Sequence, residues 1–296
     1  MPVPIGKTIV GAYCFAFGRF LSVLGILWLP YALLLVVAAI VLKLVSPETP
    51  LLDSNASARA NLGAIGILAC FLIINAMVTV GVMREALSPV PRRIYSYFSL
   101  GLPVWRMLIA TLASAAIVYS VRYVALAVAR VMISMMALHL PSIALVWGEI
   151  LIWGLATLGI VYVIARLLFF LPAVVVAEGR IGIGRSWKLG FHNVWRAIFV
   201  GAAVYAPVPA AFAPMASVLT TGSPRAAFDW NMLQQSFQEY LHHIQPPGLL
   251  GILLQIAYLV LVFGLPNGAA ACAYRSVALQ DPASPAHLTS SAEGSQ

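Results

Sequence analysis

Ionisable side chains inside long apolar runs are the residues of this chain whose types and positions could do chemistry. Arg122, Arg130, Glu149 and Arg166 each lie within a run that is otherwise apolar. A charge buried in hydrocarbon costs several kcal/mol unless it is paired or hydrated. Such residues therefore indicate either ion pairs or a hydrated pathway.

Two of these residues are predicted to pair. A proline-containing turn at 139–142 separates two apolar runs, and antiparallel packing of these runs sets Arg130 level with Glu149. We therefore predict a structural ion pair between Arg130 and Glu149. Arg122 has no acidic residue at its level, so it either meets backbone carbonyls and Asn75 or lines a hydrated cavity.

Familiar catalytic motifs are incomplete. Gly6-Lys7-Thr8 resembles the end of a phosphate-binding loop, but it lacks the earlier glycine and the preceding strand. Glu239 and His243 stand four residues apart, yet two ligands do not make a metal site. No Ser/His/Asp or Cys/His set that could supply a nucleophile and a base gathers at one end of the apolar runs. We expect no enzymatic activity, no cofactor and no metal.

The elements that carry these residues belong to a membrane protein. Apolar residues make up 62% of the 296-residue chain and charged residues 9%, against about 45–50% and about 25% in soluble domains. The net charge of +8 could suggest nucleic acid, but the basic residues stand beside apolar runs. We therefore expect membrane lipids as partners and no nucleic acid, while protein partners are unknown.

Apolar runs long enough to cross a bilayer predict an all-α polytopic membrane helix bundle. One integral membrane domain covers 1–280, and the polar segment 281–296 is predicted to be a disordered tail. Six transmembrane helices are predicted, at 20–45, 62–83, 106–136, 143–171, 195–219 and 249–277.

The distribution of Lys and Arg predicts the orientation, because cytoplasmic segments of membrane proteins carry an excess of both. Three such residues (Lys43, Arg59, Arg225) fall on one side. The other side, which includes both termini, carries Lys7, Arg19, Arg84, Arg92, Arg93, Arg106, Arg166, Arg180, Arg185, Lys188, Arg196 and Arg275. Both termini are therefore predicted to be cytoplasmic.

Two segments between spans are predicted to be basic amphipathic elbow helices on the cytoplasmic side, one within 84–105 and one within 166–199. At 100° per residue, one face of a helix over 183–196 carries Ile183, Trp187, Phe191, Val194 and Trp195. The opposite face carries Arg185, Lys188, His192 and Arg196, interrupted by Leu189. This pattern favours a helix in the headgroup layer, although a solvated linker is the alternative. We predict that Arg180, Arg185, Lys188 and Arg196 bind anionic lipid headgroups.

A weak internal repeat accompanies the elbows. Leu100–Ala110 and Leu189–Val200 share a Val-Trp-Arg core, and Phe17–Gly25 is fainter. These segments predict three units, each an elbow followed by a two-helix hairpin. Chance similarity is the alternative, because the shared core is short.

Prolines and glycines interrupt the fifth and sixth predicted spans near their centres. Pro207, Pro209 and Pro214 lie in the fifth, and Gly264-Leu-Pro-Asn-Gly268 lies in the sixth. Paired breaks at this depth indicate a solute site in some transporters, whereas a GxxxG face indicates close helix packing. If they form a site, Asn75, Arg122 and Asn267 are its predicted mid-membrane polar cluster.

The segment Arg166–Pro172, with the pattern R-x-L-x-x-x-P, followed by Glu178 and Arg185-Ser186-Trp187, resembles the YciC-type bacterial inner-membrane proteins. It is also similar to the membrane domain attached to some glycerophosphodiester phosphodiesterases. The specific likeness covers roughly 40 residues, and the six-span layout extends it along the chain. The resemblance implies a multi-pass inner-membrane protein of undefined molecular activity. The phosphodiesterase chemistry of those relatives belongs to a soluble domain that this sequence does not contain.

The function expected from the sequence is a non-enzymatic, envelope, assembly or lipid-associated role in a bacterial inner membrane. The alternative is a small transporter or lipid-handling protein with a site between spans five and six.

Overall fold

The computed structural model describes residues 2–45, 56–88, 97–137, 142–208 and 249–278 of the chain. Within these ranges the secondary structure is helical. The helices are α1 (Ile5–Gly18), α2 (Phe20–Val45), α3 (Ala56–Leu87), α4 (Leu102–Ala137), α5 (Ser142–Leu168), α6 (Leu171–Glu178), α7 (Ile183–Phe191), α8 (Val194–Tyr205) and α9 (Leu249–Ala278).

Five helical segments are long and apolar enough to cross a membrane: Phe20–Val41, Ile65–Leu87, Leu102–Met136, Trp147–Glu178 and Ile256–Ala278. They match five of the predicted spans. For the predicted fifth span, only the first part is described. Its helix α8 has 12 residues, a length of about 18 Å. The all-α prediction is therefore confirmed for the described residues, whereas the sixth crossing stays a prediction.

Helix α9 is the centre of the bundle and packs against α1, α2, α3, α6 and α8. Helix α1 follows it closely and runs antiparallel to it, because Gly11 meets Cys272 while Ala16 meets Gly264. Helices α4 and α5 pair with each other at the periphery. Buried side chains of the N-terminal segment, α3, α6, α7 and α9 form one of the apolar clusters, which includes Val3, Met83 and Tyr274.

The predicted boundaries differ from the structure at two places along the second elbow. A bend at Phe169–Phe170 separates α5 from α6, so the predicted fourth span ends as two helices. The helix expected over 183–196 is two helices, with a turn at His192–Asn193 between α7 and α8. The amide of Asn193 ends α7 because its nitrogen donates to the Leu189 carbonyl, which competes with the next helical hydrogen bond.

The two Val-Trp-Arg segments have matching environments. Val104 and Val194 are both buried, and Trp105 and Trp195 are both exposed, near the start of α4 and α8 respectively. This pattern agrees with the proposed alignment of the two segments. A helical period alone also alternates burial in this way, so the threefold repeat stays a prediction.

Several predictions fall wholly or partly on residues outside the described ranges. These are the first elbow between Ser88 and Tyr97, Pro209 and Pro214, and the tail 281–296.

Candidate functional site at the cationic end of the bundle

One end of the bundle, called here the cationic end, joins distant parts of the chain. The backbone N–H of Val3 donates to Asn193 Oδ1 at 2.8 Å. The Tyr274 hydroxyl donates to Glu178 Oε1 at 3.2 Å. The described basic residues at this end are Lys7, Arg19, Arg84, Arg106, Arg166, Arg180, Arg185, Lys188, Arg196 and Arg275.

The N-terminal segment is held by the turn between α7 and α8. Val3 is buried, and Arg196 Nη1 donates to its carbonyl at 3.0 Å. The amide of Asn193 accepts from Val3 and donates to Leu189, so it connects the segment to the end of α7. Arg196, predicted to bind a headgroup, therefore has a protein partner.

The carboxyl-terminal turn of α3 binds two arginines. Arg19 Nη1 donates to the backbone carbonyl of Glu85 and, at 3.1 Å, to its carboxylate, and Arg19 Nη2 donates to the Ser88 carbonyl at 3.1 Å. Arg275 Nη2 donates to the Ala86 carbonyl at 2.8 Å. The last carbonyls of a helix have no helical partners and carry partial negative charge, so guanidinium groups stabilise them.

Glu178, at the end of α6, accepts hydrogen bonds from a second group of side chains at the cationic end. Its side chain is only 2% exposed, and it accepts hydrogen bonds from Arg180 Nε at 2.8 Å and Arg185 Nε at 3.4 Å. Two of the predicted headgroup ligands thus meet on one buried carboxylate. Such charge-assisted bonds are strong, and removing either arginine leaves the buried carboxylate without full compensation.

Arg166 fastens α7 to the end of α5. Its guanidinium carbon lies 3.8 Å from the Trp187 ring centroid and 4.4 Å from that of Phe191, which are cation–π distances. Its Nη1 donates to the Tyr162 hydroxyl at 3.0 Å. Gly190 permits this contact, because a Cβ there would collide with the Arg166 carbonyl oxygen. The indole of Trp187 therefore packs on an arginine, in contrast to the predicted insertion of the elbow's rings into lipid.

Lys188 is the remaining predicted headgroup ligand. It is exposed on α7 and forms no hydrogen bond or ion pair with the residues that the structure describes. Its ammonium group is therefore available to a ligand. Arg180 also projects outward, since 62% of its side chain is exposed while it holds Glu178.

The predicted mid-membrane polar cluster is not joined by hydrogen bonds within the described residues. Asn75 is half-buried on α3 and accepts from Thr79 at 3.5 Å. Asn267 is buried on α9 and donates to the Phe263 carbonyl at 2.8 Å. Arg122 is exposed on α4, about 24 Å from Arg106 along the helix at 1.5 Å per residue. The cluster stays a prediction.

The predicted ion pair between Arg130 and Glu149 is likewise not formed among the described residues. Arg130 is exposed on α4 and Glu149 is half-buried on α5. Among the described residues, the ion pairs within 4.0 Å are those of Glu85 and Glu178. The structure thus does not join Arg130 to Glu149, and their pairing stays a prediction.

The glycines at the expected break of the sixth span serve as a packing surface. A Cβ on Gly268 would lie 2.9 Å from Phe15 and 3.3 Å from Ala12, and one on Gly264 would lie 3.3 Å from Ala16. Helix α1 therefore covers this face of α9. Helix α9 is also continuous across Pro266, so the expected interruption is wrong.

A cleft of about 350 Å³ opens at the cationic end between the last turns of α3, α6 and α9. It is lined by Arg84, Leu87, Ser88, Val176, Ala177, Tyr274, Arg275 and Ala278. Sequence reasoning counted Arg84 and Arg275 only as orientation signals. Each of the two lies in the last turn of a long apolar helix, and this shared position is the sequence signal that could have indicated a common site.

Comparisons with protein-family models, with curated proteins and with solved structures each found no match to this chain. The likeness to the YciC-type group therefore stays a prediction based on the motif between Arg166 and Trp187.

Proposed function

We propose that this chain is a multi-pass protein of a bacterial inner membrane with a non-enzymatic, lipid-associated role in maintaining or assembling the envelope. Its cationic end lies at the cytoplasmic surface, with both termini on that side, and binds anionic lipid headgroups. One observation carries the proposal: basic residues from α1, α3, α4, α7, α8 and α9 gather at the same end of a bundle that contains five membrane-length helices.

The electrostatics of the inner leaflet support this placement. Cytoplasmic segments of membrane proteins are enriched in Lys and Arg, and anionic lipids attract each basic residue near the surface by about 1 kcal/mol. Only two buried acids, Glu85 and Glu178, partly neutralise the cationic end within the described residues. A net positive charge is therefore left to face the headgroups.

The residues at the elbow contribute unequally in this proposal. Arg196 and Arg185 hold protein groups, so their chief effect is on the fold. Lys188 and the exposed part of Arg180 are the elbow groups that reach lipid. Within the described residues, α1 covers the Gly264–Gly268 face of α9, which favours close packing over a transport site at that face.

Lipid retention tests the proposal. The purified protein is equilibrated with equal amounts of phosphatidylglycerol and phosphatidylethanolamine and then analysed by native mass spectrometry. We expect preferential retention of phosphatidylglycerol and a reduction of about fivefold for Lys188→Gln, from about 1 kcal/mol per charge. Arg130→Gln, which removes an exposed charge far along α4, is the matched control and should change nothing. Equal retention of the two lipids by the wild-type protein would contradict the proposal.

A further inference from the structure

The cleft at the cationic end is built from the ends of three helices that approach from different parts of the chain. The last turn of α3 supplies Arg84, the end of α6 supplies Ala177, and the last turn of α9 supplies Arg275. None of its lining residues is among Arg180, Arg185, Lys188 and Arg196, at which the sequence predicted headgroup binding. Its lining combines two guanidinium groups with largely apolar walls.

The charge of the cleft is not neutralised by the neighbouring acids. The carboxylate of Glu85 accepts a hydrogen bond from Arg19. The carboxylate of Glu178 accepts hydrogen bonds from Arg180, Arg185 and Tyr274. Arg84 is exposed and makes no hydrogen bond or ion pair within the described part of the chain. Its guanidinium is therefore available to an anion.

Arg275 is positioned for the same task. Its Nη2 donates to the Ala86 carbonyl at 2.8 Å, which fixes the guanidinium beside the α3 terminus. Its other N–H groups meet no acceptor among the described residues. Two arginines that line one cleft suit a phosphate, because the guanidinium fork matches the spacing of phosphate oxygens.

The walls of the cleft select an amphiphile over a simple anion. Leu87, Val176, Ala177 and Ala278 line it, and these side chains favour methylene groups over water. A phosphate between the arginines with hydrocarbon against these walls satisfies both surfaces. An anionic phospholipid at the membrane surface has this arrangement of groups.

We infer that this cleft binds the phosphate of an anionic phospholipid, with Arg84 and Arg275 as its ligands. The inference rests on the proposed lipid-associated function and gives it a defined site. Ser88 and the Tyr274 hydroxyl stand beside the phosphate position as lining groups.

The test measures phosphatidylglycerol retained by the full chain in native mass spectra, with inorganic phosphate as a second, soluble probe. Arg84→Gln should weaken retention about fivefold, which corresponds to about 1 kcal/mol for one basic residue. Because Arg84 holds no described protein group, this variant is expected to fold. Arg130→Gln, which removes an exposed cation far along α4, is the charge-matched control and should retain wild-type levels.

A second variant separates the cleft from its charge. Ala177→Phe fills the cleft and keeps both arginines, so it should also lose the lipid, whereas Ala127→Phe on the exposed surface of α4 should not. If wild-type protein retains phosphatidylglycerol and both Arg84→Gln and Ala177→Phe retain as much, the cleft assignment is wrong while the proposed function stands. If no variant and no wild-type protein retains it, the proposed function fails. Inorganic phosphate bound through Arg84 without lipid would overturn the phospholipid assignment in favour of a soluble phosphate.

Discussion

Replacing Asn193 by Ala should release the N-terminal segment from the elbow. Asn193 is buried and serves Val3 and Leu189 with its amide oxygen and nitrogen respectively. The substitution leaves a backbone N–H and a carbonyl buried without these partners. A buried polar group left unsatisfied costs about 1–3 kcal/mol, so the loss is at least about 2 kcal/mol for the two groups.

Hydrogen exchange measures this loss locally. For the Val3 N–H alone this loss is about 1–3 kcal/mol, so at about 1.4 kcal/mol per factor of ten exchange of the Val3 and Thr8 amides should accelerate about fivefold to about 100-fold in Asn193→Ala. Amides near Ala12 and Ala16 should change little, because those residues remain packed on α9. The acceleration reports local opening of the segment rather than unfolding of the bundle.

Two further variants bracket the effect. Arg196→Gln removes only the donor to the Val3 carbonyl and should accelerate exchange less than Asn193→Ala. Lys188→Ala removes an exposed side chain of α7 and should leave exchange unchanged. Wild-type protection of the Val3 and Thr8 amides in Asn193→Ala would refute the role assigned to the Asn193 side chain.

The remaining predictions concern packing and orientation. Gly190→Ala should lower the free energy of unfolding by about 1–3 kcal/mol, because the new Cβ meets the backbone of Arg166 and this clash exceeds the gain of about 1 kcal/mol in helix propensity. Gly184→Ala, with no atom within 4 Å of its Cβ, should be neutral or stabilising. Equal loss of stability in both variants would contradict the packing argument. In a variant that lacks the native cysteines, a cysteine at Ser57 should react with an impermeant maleimide in whole cells and one at Lys188 should not; labelling at Lys188 alone would reverse the orientation.

Much of the helical layout could be predicted because the signal for a membrane span is local. Long apolar runs end at polar or breaking residues, and every backbone hydrogen bond of a span is made within its own helix. The prediction of α2, α3, α4 and α9 therefore needed no tertiary information. The helix boundaries of the second elbow were harder to predict. The Asn193 amide that ends α7 by donating to Leu189 also accepts a hydrogen bond from Val3, which is distant in the sequence.

The candidate site was predicted less well than the helices. The sequence pointed to four basic residues of the elbow, and the structure shows that Arg180 and Arg185 share Glu178 while Arg196 holds Val3. Arg84 appeared only as an orientation signal and lines a cleft in the structure. Residue type and spacing indicate that a cation lies at the surface, but they do not indicate which acceptor it meets.

Composition and the positions of apolar runs thus determined that the chain is helical, that several of its helices suit a membrane, and that its basic residues favour one side. Tertiary structure decided which of those basic side chains form hydrogen bonds or ion pairs with other groups of the protein. The reason is distance along the chain: Val3 lies 190 residues from Asn193 and 193 residues from Arg196, and Arg19 lies 66 residues from Glu85. Helical periodicity relates residues a few positions apart, whereas Val3 reaches its partners because α1 packs against α8, and Arg19 reaches Glu85 because α2 packs along α3.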